Sequence, residues 1–113
     1  MTTIWHNPRC SKSRQALALL EERAVDVTVR RYLEDAPDAE ALLGARDMLG
    51  LRAIDMIRTG EALFRELGLS KTDDDARLIA AMAEHPKLIE RPVVFANGRA
   101  IIGRPPERVL EIL

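Results

Sequence analysis

Thr2-Thr3-Ile4-Trp5-His6-Asn7-Pro8-Arg9-Cys10-Ser11-Lys12-Ser13-Arg14 joins a short apolar run to a polar, proline-bearing loop and then to a helical pattern. It also carries the only cysteine of the 113-residue chain. Thr2 to His6 reads as a strand, and Ser11 to about Arg23 as a helix in which Ala16, Leu17 and Leu20 recur at helical spacing. Cys10 therefore stands where a helix begins. There it meets unsatisfied backbone N–H groups and the positive end of the helix dipole, with His6, Arg9, Lys12 and Arg14 as cationic or potentially cationic neighbours. Such surroundings lower a thiol pKa from about 8.5 to about 3.5–7.5 and produce the nucleophilic thiolate. A lone cysteine also occurs as a small buried hydrophobe. Here the polar, charged and proline residues on both sides favour a loop entering a helix.

Outward from this stretch, Val25, Val27 and Val29 alternate with Asp26 and Thr28, which predicts a second strand with β-branched residues on one face. The opening is then a βαβ unit, whose parallel strands require a right-handed crossover. A helical block follows. Asp38 caps a segment running to Leu49 before Gly50, Arg52–Ile57 forms a shorter segment before Gly60, and Glu61–Leu67 runs to Gly68. Asp73 to about Glu84 starts with three acidic residues and places Ala76, Ile79, Ala80 and Ala83 on one face before Pro86. Strand character returns at Pro92–Ala96, and Asn97-Gly98 signals a hairpin to Arg99–Ile102. Pro105-Pro106-Glu107 opens a last helix with Val109, Leu110 and Leu113 as its apolar contacts. The expected fold is α/β: one domain over residues 1–113, a mixed sheet of βαβ…ββα order with a helical insertion at about residues 36–90.

Composition narrows the function classes. Hydrophobic residues at 47% and charged residues at 31% suit a soluble globular chain, and no apolar run approaches the roughly 20 residues that span a bilayer. Met1 to His6 lacks the pattern of a secretory signal, and a single cysteine permits no internal disulfide, so a reducing, cytoplasmic location is expected. The 17 basic and 18 acidic residues leave a net charge of −1, which predicts no nucleic-acid or membrane partner. Any preference for anions must be local. Cys10, His6 and His85 form no recognisable metal-ligand set.

Three separated motifs, His6-Asn7-Pro8-Arg9-Cys10, Glu90-Arg91-Pro92 and Gly103-Arg104-Pro105, occur in order across nearly the whole chain. With the strand and helix order they resemble the glutaredoxin-linked arsenate reductases of the thioredoxin-like superfamily. The resemblance implies a thioredoxin-like fold, Cys10 as nucleophile and Arg58, Arg91 and Arg104 as oxyanion-binding arginines. It also implies supporting roles for His6, Asn7, Ser13 and Pro92. Guanidinium groups present fixed donor forks to oxyanions and would relieve the repulsion between a thiolate and an anionic substrate.

Two readings remain open at His6: it favours the thiolate as imidazolium or through a hydrogen bond, or it is a strand-end histidine satisfied by the backbone. For Ser13 the choices are binding of the oxyanion or thiolate by its hydroxyl and the adjacent amides, or helix capping by Ser11 or Ser13. Pro92 matches a family proline that follows a cis peptide, although the sequence by itself favours trans. Gly50 and Gly60 bracket Arg52–Gly60, so Arg58 is expected on a segment that swings in on anion binding or on an ordinary short helix between turns. Best-known members carry Gly-Thr-Ser-Arg after the cysteine, where this chain has Ser11-Lys12-Ser13-Arg14.

With Ser13 in place of a second cysteine the chain cannot resolve its own mixed disulfide, so an external thiol must complete turnover. The implied activity is reduction of arsenate to arsenite with glutathione as co-substrate, glutaredoxin as partner and no tightly bound cofactor. A monothiol oxidoreductase acting on glutathione disulfides would use the same thiol. The chain also resembles Spx-type regulators, which bind RNA polymerase and sense oxidation through a CxxC pair that Ser13 removes here.

Overall fold

β1 (Thr2–Trp5) is the strand on which the sheet is built. It pairs in parallel with β2 (Val27–Arg30) on one side and antiparallel with β3 (Val93–Ala96) on the other, and β3 pairs antiparallel with β4 (Arg99–Ile102). The strand order is β2-β1-β3-β4. These relations come from a computed structural model that describes residues 2–23 and 26–113; Val25, expected in the second strand, lies outside them. The mixed sheet and its βαβ…ββα order are those the sequence predicts for a thioredoxin-like fold. The chain divides into two compact units, residues 1–35 with 91–113, and residues 36–90.

In the first unit, α1 (Ser11–Glu22) buries Ser13, Ala16 and Leu20, spaced three and four apart so that they share one helix face. Ala16 and Leu20 join Ile4, Val94, Ala96, Ile101, Val109 and Ile112 in a continuous apolar core. Asn97 at φ 53° and Gly98 at φ 72° make the tight turn between β3 and β4, a pair of left-handed positions that these two residue types tolerate. The terminal segment Pro106–Ile112 is a 3₁₀ helix, and it buries Pro106, Val109 and Ile112. Of the expected contacts Val109, Leu110 and Leu113, the first is buried and the second packs partly buried against the core. At three per turn Ile112 follows Val109 inward, and Leu113 is left 39% exposed.

The second unit is helical. In α2 (Ala39–Leu49) the N-cap Asp38 side chain accepts from the Ala41 N–H, and Gly50 ends the helix in the left-handed conformation. α3 (Ala62–Glu66) buries Phe64 and is followed by Gly68 at φ 72°. The expected segment over Arg52–Ile57 contracts to a single 3₁₀ turn, Ala53–Asp55. α4 (Asp75–Glu84) is capped by Asp74 and buries Leu78, Ile79 and Met82. Of the face predicted for it, Ile79 is buried and Ala83 half-buried, whereas Ala76 and Ala80 are exposed. Burial follows apolar area, and Leu and Met remove far more of it from water than alanine does. Arg46 reaches from α2 to Asp75 of α4 at 3.0 Å.

Candidate active site

The strand register brings chain-distant residues to one end of the sheet. Trp5 at the end of β1 is level with Arg30 at the end of β2 and with Val93 at the start of β3, which in turn is level with Ile102 at the end of β4. The loop to Cys10 therefore leaves from the same sheet end as Arg31-Tyr32, Arg91-Pro92 and Gly103-Arg104.

Cys10 is the N-cap residue of α1, in extended conformation at φ −96° and ψ 121°, and its carbonyl accepts from the Arg14 N–H at 3.0 Å. Capping by Ser11 or Ser13 is thus overturned. The loop before it closes on itself: the Cys10 N–H donates to the Asn7 carbonyl at 3.0 Å and the Arg9 N–H to Asn7 Oδ1 at 3.0 Å. Arg14 spends its Nη1 on the Pro8 carbonyl at 2.9 Å.

The half-buried thiol is pushed up in pKa by burial, but hydrogen bonds from the Arg91 side chain and the Ser13 and Lys12 backbone N–H groups, with the Arg91 charge, more than reverse this. The Cys10 pKa lies below its ordinary value. The helix-start amides act as the sequence suggested. The cation is different: it comes from Arg91, and not from the neighbours in sequence. Burial disfavours the Arg91 charge, yet its contacts with Cys10 and Tyr32 outweigh this and hold the guanidinium protonated.

His6, Asn7 and Ser13 form a buried cluster behind the loop. Ser13 Oγ accepts from the Asn7 N–H at 3.0 Å and shares a 2.6 Å hydrogen bond with His6 Nδ1. Ser13 is fully buried and its hydroxyl is committed to these two partners, so it is not presented to an oxyanion. The His6 pKa is lowered, first by burial and then by the Arg31 and Arg14 charges, against a smaller opposing effect of Glu21. The imidazolium reading is therefore disfavoured. A neutral ring accepting at Nδ1 from the Ser13 hydroxyl fits the pairing, and the ring is satisfied by a side chain where the alternative reading expected backbone.

Pro92 follows a cis peptide, and so does Pro105, which corrects the trans expectation for Pro92. The Gly103 N–H donates to the Pro92 carbonyl at 2.9 Å. A Cβ on Gly103 would stand 3.0 Å from both Pro92 Cγ and Val109 Cγ1, tighter than ordinary contact, so a larger residue here would have to push these side chains aside. The exposed Arg104 donates from Nη1 to the Arg91 carbonyl at 3.1 Å, which places its guanidinium beside Arg91. Cys10 and Arg91 are thus brought together, and Arg104 reaches the backbone of Arg91.

Arg58 belongs to the other unit. Its N–H donates to the Leu88 carbonyl at 2.7 Å, and its guanidinium pairs with Glu61 at 3.1 Å and Glu90 at 3.7 Å. Tyr32 is the site residue the sequence reading missed. It is wholly buried and touches Arg91. Its signal in the sequence was faint: the single tyrosine, just past a predicted strand. Among the described residues no group of three or more His, Cys, Asp or Glu is arranged to hold a metal ion, and no helix is long and apolar enough to cross a membrane.

The chain that carries this thiol and arginine is similar to known proteins along nearly its full length. The arsenate reductase of Neisseria meningitidis is 48% identical over 97% of this chain and 96% of its own. The uncharacterized Escherichia coli protein YfgD is 50% identical over 97% of this chain and 94% of its own. In three dimensions, the arsenate reductase from Vibrio cholerae superposes with a TM-score of 0.95 at 53% identity, covering 99% of this chain and 97% of that one. A family model described as the ArsC family covers residues 5–112, from the end of β1 through the last helix and so across every site residue above, and the chain belongs to the ArsC family.

Proposed function

We propose that this chain is an arsenate reductase in which the Cys10 thiolate attacks arsenate and glutathione completes the reduction. The observation that carries the reading is the lowered Cys10 pKa, produced by Arg91 and two backbone N–H groups at the start of α1, in a chain of the ArsC family. The Cys10 sulfur bonds to arsenic and one arsenate oxygen leaves as water, giving a thiol–arsenate intermediate. Glutathione then attacks the Cys10 sulfur. Its sulfur and that of Cys10 become a mixed disulfide, and the two electrons they release take arsenic from As(V) to As(III), freeing arsenite. With one cysteine in the chain, the mixed disulfide must be cleared by an external dithiol or thiol, the role assigned to glutaredoxin.

In this reading Arg91 has two tasks, holding the thiolate and meeting the oxyanion. Arg104, whose Nη1 donates to the Arg91 carbonyl, adds a second guanidinium. The neutral His6 and Ser13 hold the Asn7 end of the loop, so that Cys10 keeps its place at the helix start. No tightly bound cofactor takes part, and a thiol of this kind works in a reducing, cytoplasmic setting.

The test is coupled turnover of arsenate with glutathione, glutaredoxin and NADPH-driven recycling. The expected result is turnover abolished by Cys10→Ser, with kcat/KM lowered about 10²-fold or more by Arg91→Ala or Arg104→Ala. A working assay with no arsenate turnover, but with exchange on glutathione disulfides, would replace this reading by the monothiol oxidoreductase.

A further inference from the structure

Tyr32 lies two residues beyond the end of β2, at the sheet end that also carries Cys10 and Arg91. The whole side chain is buried, its hydroxyl oxygen included. A phenol oxygen taken out of water without a polar partner is costly, and phenylalanine would fill the same space without that cost. The partner is the Arg91 guanidinium, against which the hydroxyl lies and which also hydrogen-bonds the Cys10 sulfur.

An arginine side chain has several rotatable bonds, so its reach to a sulfur at a fixed point depends on what holds the fork. Arg91 sits ahead of β3, outside the strand that would otherwise order it. We propose that Tyr32 is a positioning residue: its buried hydroxyl sits on the Arg91 guanidinium and sets the orientation in which that group meets Cys10 and an oxyanion bound there. The oxyanion part rests on the function proposed above. The effect on the thiol does not, and it is the part measured.

The experiment is the pH profile of iodoacetamide alkylation of Cys10, clean because the chain has one cysteine. It compares the native protein, Tyr32→Phe, Arg91→Ala and the double variant, with folding checked by circular dichroism. Tyr32→Phe keeps the ring and removes only the hydroxyl. It alters none of the charges acting nearby, which are Arg91 on Cys10 and Arg31, Arg14 and Glu21 on His6. Its profile is expected to move to higher pH, with the rate on the acid limb falling about three-fold or more, the scale of a weakened charge-assisted hydrogen bond. In the Arg91→Ala background the same substitution is expected to change nothing further, because its target is gone. An unshifted Tyr32→Phe profile overturns the proposal, as does an equal shift with and without Arg91. If Tyr32→Phe does not fold, native and Arg91→Lys decide: an ammonium cannot bridge both groups as the planar fork does, so Arg91→Lys must lose most of the Arg91 effect, and full retention overturns the proposal.

Discussion

Replacing Arg91 by alanine removes both the hydrogen bond and the charge that lower the Cys10 pKa, and leaves burial opposed only by the Ser13 and Lys12 N–H groups. A hydrogen bond to a charged group contributes about 1.5–3 kcal/mol. The thiol is half-buried, and solvent screening reduces this to about 1.4 kcal/mol, a factor of ten in the thiolate equilibrium. Arg91→Ala should therefore shift the Cys10 alkylation profile to higher pH and lower the rate on its acid limb about tenfold. The same change should make the protein less stable, since the Tyr32 hydroxyl then lies buried against no guanidinium. Alkylation with iodoacetamide across pH 5 to 10, on protein whose fold is confirmed by circular dichroism, is the assay. An Arg91→Ala profile that superposes on the native one would show that the helix-start amides suffice, and the reasoning that makes Arg91 the decisive cation would be wrong.

Ser13→Ala strips the Asn7 N–H and His6 Nδ1 of their shared partner and should cost about 2 kcal/mol or more, read from the urea midpoint and slope. Gly103→Ala drives a methyl to 3.0 Å from Pro92 and Val109, so a loss of about 1–3 kcal/mol is expected, with a further drop in Cys10 reactivity as the Arg91-Pro92 step is displaced. For His6 the sign is set by its lowered folded pKa. Below the unfolded value of 6.5 the unfolded chain binds more protons, so the His6 contribution is whole above that pH and is lost as pH falls towards the folded pKa. Urea midpoints of the native protein should accordingly fall from pH 7.5 to 5.5 more steeply than those of His6→Gln, and parallel slopes would count against a buried neutral ring.

The sequence by itself determined what short-range physics decides. The position of β2, the Asp38 cap, the Gly50 stop and the Asn97-Gly98 turn each depend on residues within a few positions, and each stands in the structure. Cys10 at a helix start was legible for the same reason. Where local pattern left a choice, burial made it: α4 turns Leu78 and Met82 inward in place of Ala76 and Ala80, and the last segment winds at three residues per turn. What only the tertiary structure decided is the electrostatics of the thiol. Charge acts through space, and the sheet register brings Arg91 and Tyr32 to Cys10 from far along the chain, while Arg14 is occupied by the Pro8 carbonyl and His6 is buried neutral beside Ser13. Proximity in sequence pointed to the wrong cations, because a side chain's field depends on where the fold aims it and what already binds it.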